Sequence, residues 1–226
     1  MSMLLKMPGV FVAFVVAGTL VSCVSLEQRY PERRFFVIDA TTAIDGEARV
    51  APADAIVPAG TVLKVRPFTV SPAFAGQEFT YRTNEATWET DYYNTFLIPP
   101  GQQIADQAQQ LMSSANIVEQ VVTSGSYVEP THLLEGHVVT LHGDFRDRKA
   151  PLAVLELQLF LVEIQKGSAV VRLRKNYQQR VPIDVGDYSD KVLGEALLAG
   201  WNLALRRILT DFAREVREAG AVAPPG

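Results

Sequence analysis

The chain has 226 residues, 48% of them hydrophobic and 20% charged, with a formal charge of −4. That composition can bury a real core, and it excludes a disordered body, which needs low hydrophobicity and high net charge. The acidic balance argues against a nucleic-acid partner, which calls for a basic surface, and one cysteine excludes an internal disulfide or a multi-thiolate zinc site.

Residues 1–22 carry one charge, Lys6, ahead of the uncharged stretch MPGVFVAFVVAGTLVS. A basic start, an apolar run and small residues at its end make a secretory signal. The run ends in Leu20-Val21-Ser22-Cys23, which resembles the bacterial lipobox. There the peptidase needs small side chains near its cut, and acyl transfer needs a nucleophilic thiol. The uncharged run from Met7 to Leu26 is 20 residues long, and about 20 apolar residues can also span a bilayer uncleaved. The small residues before Cys23, and Pro8-Gly9 at the start, favour the lipobox. A buried structural cysteine is the other alternative.

On this reading residues 1–22 are a signal peptide and 23–33 an acylated N-terminus and tether. Residues 34–217 are one domain and 218–226 a loose tail. The chain beyond residue 22 keeps 20 Lys and Arg against 25 Asp and Glu, a formal charge of −5, unpromising for electrostatic docking on anionic headgroups. Several acyl chains would anchor firmly, each buried methylene adding about 0.8 kcal/mol. The tether reaches at most about 35 Å. Val24 stands where an aspartate favours inner-membrane retention in proteobacterial lipoproteins. Its presence fits the periplasmic face of the outer membrane.

Within the body, RFFVIDA (34–40) and TVLKVRPFTV (61–70) read as strands, with Pro67 at an edge or bend. The Pro- and Gly-punctuated stretch between them reads as loop. EFTYRT (78–83) is a short strand. Pro99 and Pro100 open a helix with a stripe at Ile104, Ala108, Leu111 and Met112. IVEQVVT (117–123) and THLLEGHVVTLHGDF (131–145) are strands, the second bulged at Gly136.

LAVLELQLFLVEI (152–164) puts Leu155, Leu157, Leu159 and Leu161 on one face. AVVRLRKNYQQRV (169–181) sets Val171, Leu173 and Tyr177 opposite Arg172, Arg174, Gln178 and Arg180. The pair is a hairpin with one buried and one wet face. A long amphipathic helix follows, capped by Ser189, with Leu193, Leu197, Trp201, Ala204, Ile208 and Phe212 as its stripe and Gly220 as its end. The expected architecture is α+β: one domain, a largely antiparallel sheet with two main helices packed on one face.

Catalytic signals are weak. His132, His137 and His142 share one segment, but strand alternation sets His137 opposite the other two, so a metal site is not the expected reading. Asp144 and Asp147 lie in a run that reads as a solvated turn. No nucleophile elbow, P-loop, dinucleotide fingerprint or HExxH is present. We expect no enzyme activity, cofactor or metal. The aromatics Tyr81, Trp88, Tyr92, Tyr93 and Phe96 suit either a binding surface or a core corner, with about half of them core.

Taken in order behind the lipobox, RFFVIDA, LKVRPFTVSPAFAGQEFTYR and YYNTFLIPPGQQIADQAQQL resemble the ABC-type transport auxiliary lipoproteins. Phe35-Phe36-Val37-Ile38 matches the family's first aromatic strand, Leu63 to Pro67 its L-x-V-x-P strand, and Tyr81-Arg82 its Tyr-Arg pair. Phe96 stands where a tryptophan is usual, which keeps the aromatic and removes an indole N–H. The resemblance covers about residues 34–215. It implies lipidation at Cys23 and a non-enzymatic role beside an ABC permease and ATPase with a mammalian-cell-entry (MCE) protein. The domain would dock the periplasmic MCE assembly at the outer membrane, as a possible cyclic homo-oligomer. Tyr81, Arg82, Trp88, Tyr93 and Phe96 are the candidate partner-binding residues. The alternative is an outer-membrane lipoprotein that scaffolds or activates another envelope enzyme, such as a peptidoglycan synthase.

Overall fold

In the computed structural model the described residues are 32–41, 57–165, 168–186 and 190–222. Cys23, the signal segment, the tether to residue 31 and the Ser189 cap lie outside them. In chain order the elements are β1 (Arg34–Phe36), β2 (Val62–Val65), β3 (Thr69–Val70), a 3-10 turn (Pro72–Phe74), β4 (Glu78–Arg82) and β5 (Trp88–Phe96). There follow α1 (Pro100–Ser114), β6 (Gln120–Val122), β7 (His132–Asp144), β8 (Leu152–Gln165), β9 (Ser168–Pro182) and α2 (Asp190–Glu218).

Strand β7 is the axis of a single mixed sheet. One edge pairs antiparallel with β8 along its length, and β8 pairs antiparallel with β9. The other edge takes three short parallel strands in succession: β2, then β3, then β4. β6 extends β2, β5 pairs antiparallel with β4, and β1 lies parallel to β5. The fold is α+β, and its long ladders are the antiparallel ones. Pro67 divides 61–70 into β2 and β3, because proline cannot donate to the ladder. Arg66 and Ser71 still donate their N–H groups to Leu134 and Val138, at 3.0 and 2.9 Å. Strand β5 is a nine-residue element that the sequence reading leaves unassigned.

The leucine row of β8 faces inward as expected, with Leu155, Leu157, Leu159 and Leu161 all buried. The α2 stripe from Leu197 through Trp201, Ala204, Ile208 and Phe212 is buried too, with Leu193 at its margin. Phe79 sits where the layers meet. Its ring lies 5.0 Å from Phe36, 4.6 Å from Phe96 and 4.8 Å from Trp201, the last edge-on. The Trp201 indole N–H donates to the His142 carbonyl at 3.3 Å. Helix α2 ends as predicted at Gly220, with φ +55°. Gly220 donates to Arg217 and Ala221 to Val216, both at 3.1 Å, the Schellman pairing that satisfies the last carbonyls.

Three local readings are corrected. The first strand pairs only over Arg34–Phe36. Beyond it the chain is bonded to helix side chains: Ile38 and Ala40 donate to Gln103 Oε1 (2.6 Å) and Gln107 Oε1 (2.7 Å). Asp39 donates to Asn202 Oδ1 at 3.0 Å, and Arg206 Nε donates to the Ala40 carbonyl at 2.8 Å. In β9 the register slips between Leu161 and Val162 of its partner, so Val171 pairs with Val162 and leaves the Leu173 face. Val171 is 55% exposed.

The β7 bulge falls between Val138 and Thr140 instead of at Gly136. Gly136 has another duty: an added Cβ would lie 2.4 Å from the Phe68 ring. Gly136→Ala is therefore expected to lower stability by about 1–3 kcal/mol, the range for overpacking. Gly125→Ala, which meets nothing within 4 Å, should leave urea unfolding unchanged. Equal midpoints for the two variants would contradict this packing.

Candidate interaction surface

The predicted partner-binding residues all belong to the β4–β5 hairpin, and the fold separates them. Phe96 and Tyr81 are buried in the core. Phe96 packs on Phe79 and Trp201, so it cannot meet a partner. Tyr81 meets Phe145 edge-on at 5.5 Å, and its hydroxyl donates to Asp91.

Asp91 organises what lies above. Glu78 pairs with Thr95 and Phe79 with Asp91, so residues 92–94 drop out of the β4 ladder, although Asn94 still pairs with Arg34 of β1. Asp91 Oδ1 accepts the N–H groups of Tyr93 (2.8 Å) and Asn94 (3.1 Å), and Oδ2 accepts from Asn94 Nδ2 (2.6 Å). A carboxylate gathering successive backbone N–H groups is an Asx turn. It presents Tyr92, 69% exposed, with Tyr93 half-buried and edge-on beside it at 5.3 Å. The local signal for this turn is Asp91 in TDYYN, a polar residue that composition-based marking of the aromatics does not weigh.

Arg82 and Trp88 pair at the other end of the hairpin. The Arg82 guanidinium lies 5.4 Å from the Trp88 ring, and Trp88 is 44% exposed. Behind them, Trp88 meets His142 edge-on at 4.9 Å, and Phe74 stacks on His142 at 5.8 Å. Glu85 joins Arg82 (3.2 Å) to Arg146 (2.8 Å), and Arg146 in turn binds Asp144 at 2.7 Å. This is an aromatic and cationic cluster on the sheet face that carries no helix among the described residues. Asp144 is buried in it, so the expected solvated turn begins only at Arg146. The Arg146 hydrogen bonds hold the Asp144 carboxyl below its ordinary range, and those to Asp144 and Glu85 raise the Arg146 guanidinium.

The β7 bulge also rearranges the histidines. His142 now shares the outer face with His137, while His132 is left on the inner face, because the extra residue reverses the alternation. His137 lies 2.8 Å from Thr69 Oγ1 and 3.2 Å from Ser71 Oγ. It borders a groove of about 420 Å³ with Arg66, Pro67, Thr69, Glu135 and Phe160. Arg66 and Glu135 neutralise one another there at 2.8 Å. No group of three metal-binding side chains exists among the described residues. No helix among them is long and apolar enough to cross a membrane. Of the β9 arginines expected on the wet face, Arg174 lies there, 5.4 Å from the Phe160 ring, whereas Arg172 is the extra residue of the β9 bulge and pairs with Glu163, opposite His132 on the inner face.

No family model matches the chain, and no curated protein matches it. Solved structures do. A Xanthomonas campestris protein of the family DUF330 superposes with TM-score 0.63 at 14% identity, over 83% of this chain and 96% of that one. An uncharacterized protein superposes with TM-score 0.52 at 17% identity, over 69% and 92%. Lipoprotein GNA1162 from Neisseria meningitidis reaches 0.33 at 12% identity, over 68% and 99%. The first two likenesses establish a shared fold.

Burial lowers the His142 ring to a pKa of about 4, with Arg82, Arg180 and Arg146 acting in the same direction and Asp144 against it. The folded value lies below the unfolded 6.5, so this stabilisation is complete above pH 6.5 and is lost as pH falls toward 4. The loss amounts to about 3 kcal/mol. His142→Phe, which keeps a ring between Phe74 and Trp88, should flatten most of the stability decline over that window. His132, lowered by burial, supplies a residual slope in both chains. Identical pH profiles in chemical unfolding would count against a buried neutral His142.

Proposed function

We propose that the chain is a lipid-anchored envelope protein, held through Cys23 and serving as the auxiliary component of an ABC-type MCE lipid transport system. The observation that carries this reading is positional. Cys23 closes the apolar signal only ten residues ahead of Arg33, where the compact unit begins. A thiol placed there can be acylated without disturbing a core that contains no cysteine. The tether then keeps the body within about 35 Å of the bilayer.

The Arg82–Trp88 end of the β4–β5 hairpin is the docking surface we assign to the periplasmic MCE assembly. Arginine and tryptophan are the side chains that most often dominate protein interfaces. A cationic face over an exposed indole binds without needing a preformed cavity. Several tethered copies arranged cyclically would meet a ring or tube with matching symmetry, and avidity would strengthen contacts that are individually weak.

Affinity capture from gently solubilised membranes tests the assignment. The MCE-domain protein and its permease should come down with the chain; capture of peptidoglycan synthases in their place would overturn it. Arg82→Glu or Trp88→Ala should reduce MCE recovery by about an order of magnitude, as loss of an interface anchor does. Arg214→Ala, on the exposed part of α2, should not. Cys23→Ser should release the chain or leave an unprocessed precursor, and normal outer-membrane fractionation of that variant would refute the anchor.

A further inference from the structure

Exposed apolar side chains are concentrated where the described chain begins. Of the ten large hydrophobic residues exposed among the described residues, Phe35, Val37, Tyr92 and Leu97 gather at β1 and the β5 bulge. They are physically joined. Arg33 lies between two rings, 5.6 Å from Phe35 and 5.4 Å from Tyr92. Leu97 donates its N–H to the Phe36 carbonyl at 2.9 Å, beside Val37. Tyr92 is held outward by the Asp91 turn, so its exposure is built into the backbone.

We infer that this patch is a second membrane contact, seated in the interface of the bilayer that receives the Cys23 acyl chains. The inference rests on the lipid-anchor reading above. Three features select a lipid surface as the occupant. The chain leaves the patch at Arg33 and has ten residues in which to reach Cys23, so the patch stays close to the bilayer. Tyrosine and phenylalanine beside an arginine match the interfacial zone, where amphipathic rings sit among headgroups and a guanidinium meets phosphate. Arg33 keeps access to such an anion, since the carboxylate it pairs with among the described residues, Glu78, is 4.0 Å away and both side chains are nearly half exposed. A strand from a second copy fits less well, because β1 offers only a three-residue edge, too short to template pairing.

The mature chain, isolated from membranes and reconstituted into phosphatidylethanolamine–phosphatidylglycerol vesicles, allows a direct test. Tyr92→Trp places a fluorophore in the patch. Tyr127→Trp places one at a fully exposed site beyond β6, beside the opposite end of β7. The unsubstituted chain corrects for Trp88 and Trp201. With brominated acyl chains in the vesicles, the indole emission from position 92 should shift to the blue and lose most of its intensity. The emission from position 127 should be unchanged. If Tyr92→Trp does not fold, Phe35→Trp makes the same measurement. Equal quenching at the two sites overturns the inference, as does crosslinking of position 92 to a second copy. Mass spectrometry of Cys23 separates the two readings. A chain without acyl groups defeats the anchor, whereas an acylated chain whose indole at position 92 stays unquenched defeats the patch alone.

Discussion

Everything in this fold follows from one long helix covering one face of the β7–β8–β9 ribbon. The β8 leucines and the α2 stripe close on each other, and each fully buried leucine contributes about 1.5–3 kcal/mol. Phe79 and Trp201 fill the point where the short parallel strands join that ribbon. Lys175 and Tyr177 then tie β9 to α2 through Glu215, at 2.5 and 3.1 Å. The opposite face keeps polar pairs such as Gln158 with Asn176 at 3.0 Å. With no second layer over it among the described residues, that face and the hairpin ends are where a partner can be met.

The elements that could be read from the sequence are those whose signal is local. The period of 3.6 in α2, the alternation in β8 and the hairpin turn each need only a short window. Gly220 supplies the end of α2 for the same reason. What stayed hidden depends on distant partners. Nothing near Val37 announces that residues 38–40 will bond to Gln103, Gln107, Asn202 and Arg206 in place of a strand. The parallel strands beside β7 are joined by pairings more than sixty residues apart in sequence.

Bulges account for most of the side-chain misplacements. One extra residue at Val139 reverses the outlook of His142, another in β9 reverses Val171, and three in β5 create the Tyr92 surface. Alternation is a reliable rule only between such insertions. The candidate site was legible as a segment, not as a surface. Composition marked the aromatics of 81–96, but register decides which of them are core. Phe96 packs inward and Trp88 outward on the same strand. Phe74 and His142, the rings behind Trp88, come from elements that no spacing rule connects to it.

The charge of the chain bears on how such a protein could hold to a membrane. Beyond residue 22 the formal charge is −5, so bulk electrostatics oppose an anionic bilayer. A patch of two aromatic rings, two aliphatic side chains and an arginine would bind weakly from solution. On the proposed ten-residue tether the same contact would become intramolecular, with an effective concentration in the millimolar range. The acyl chains would then supply the affinity and the patch the orientation. Trp88 lies four residues before Tyr92 on β5, about 13 Å along the strand. The Arg82–Trp88 end is therefore a surface distinct from the Phe35–Tyr92 patch, so on the proposed reading a lipid contact and an assembly contact would not compete for the same side chains.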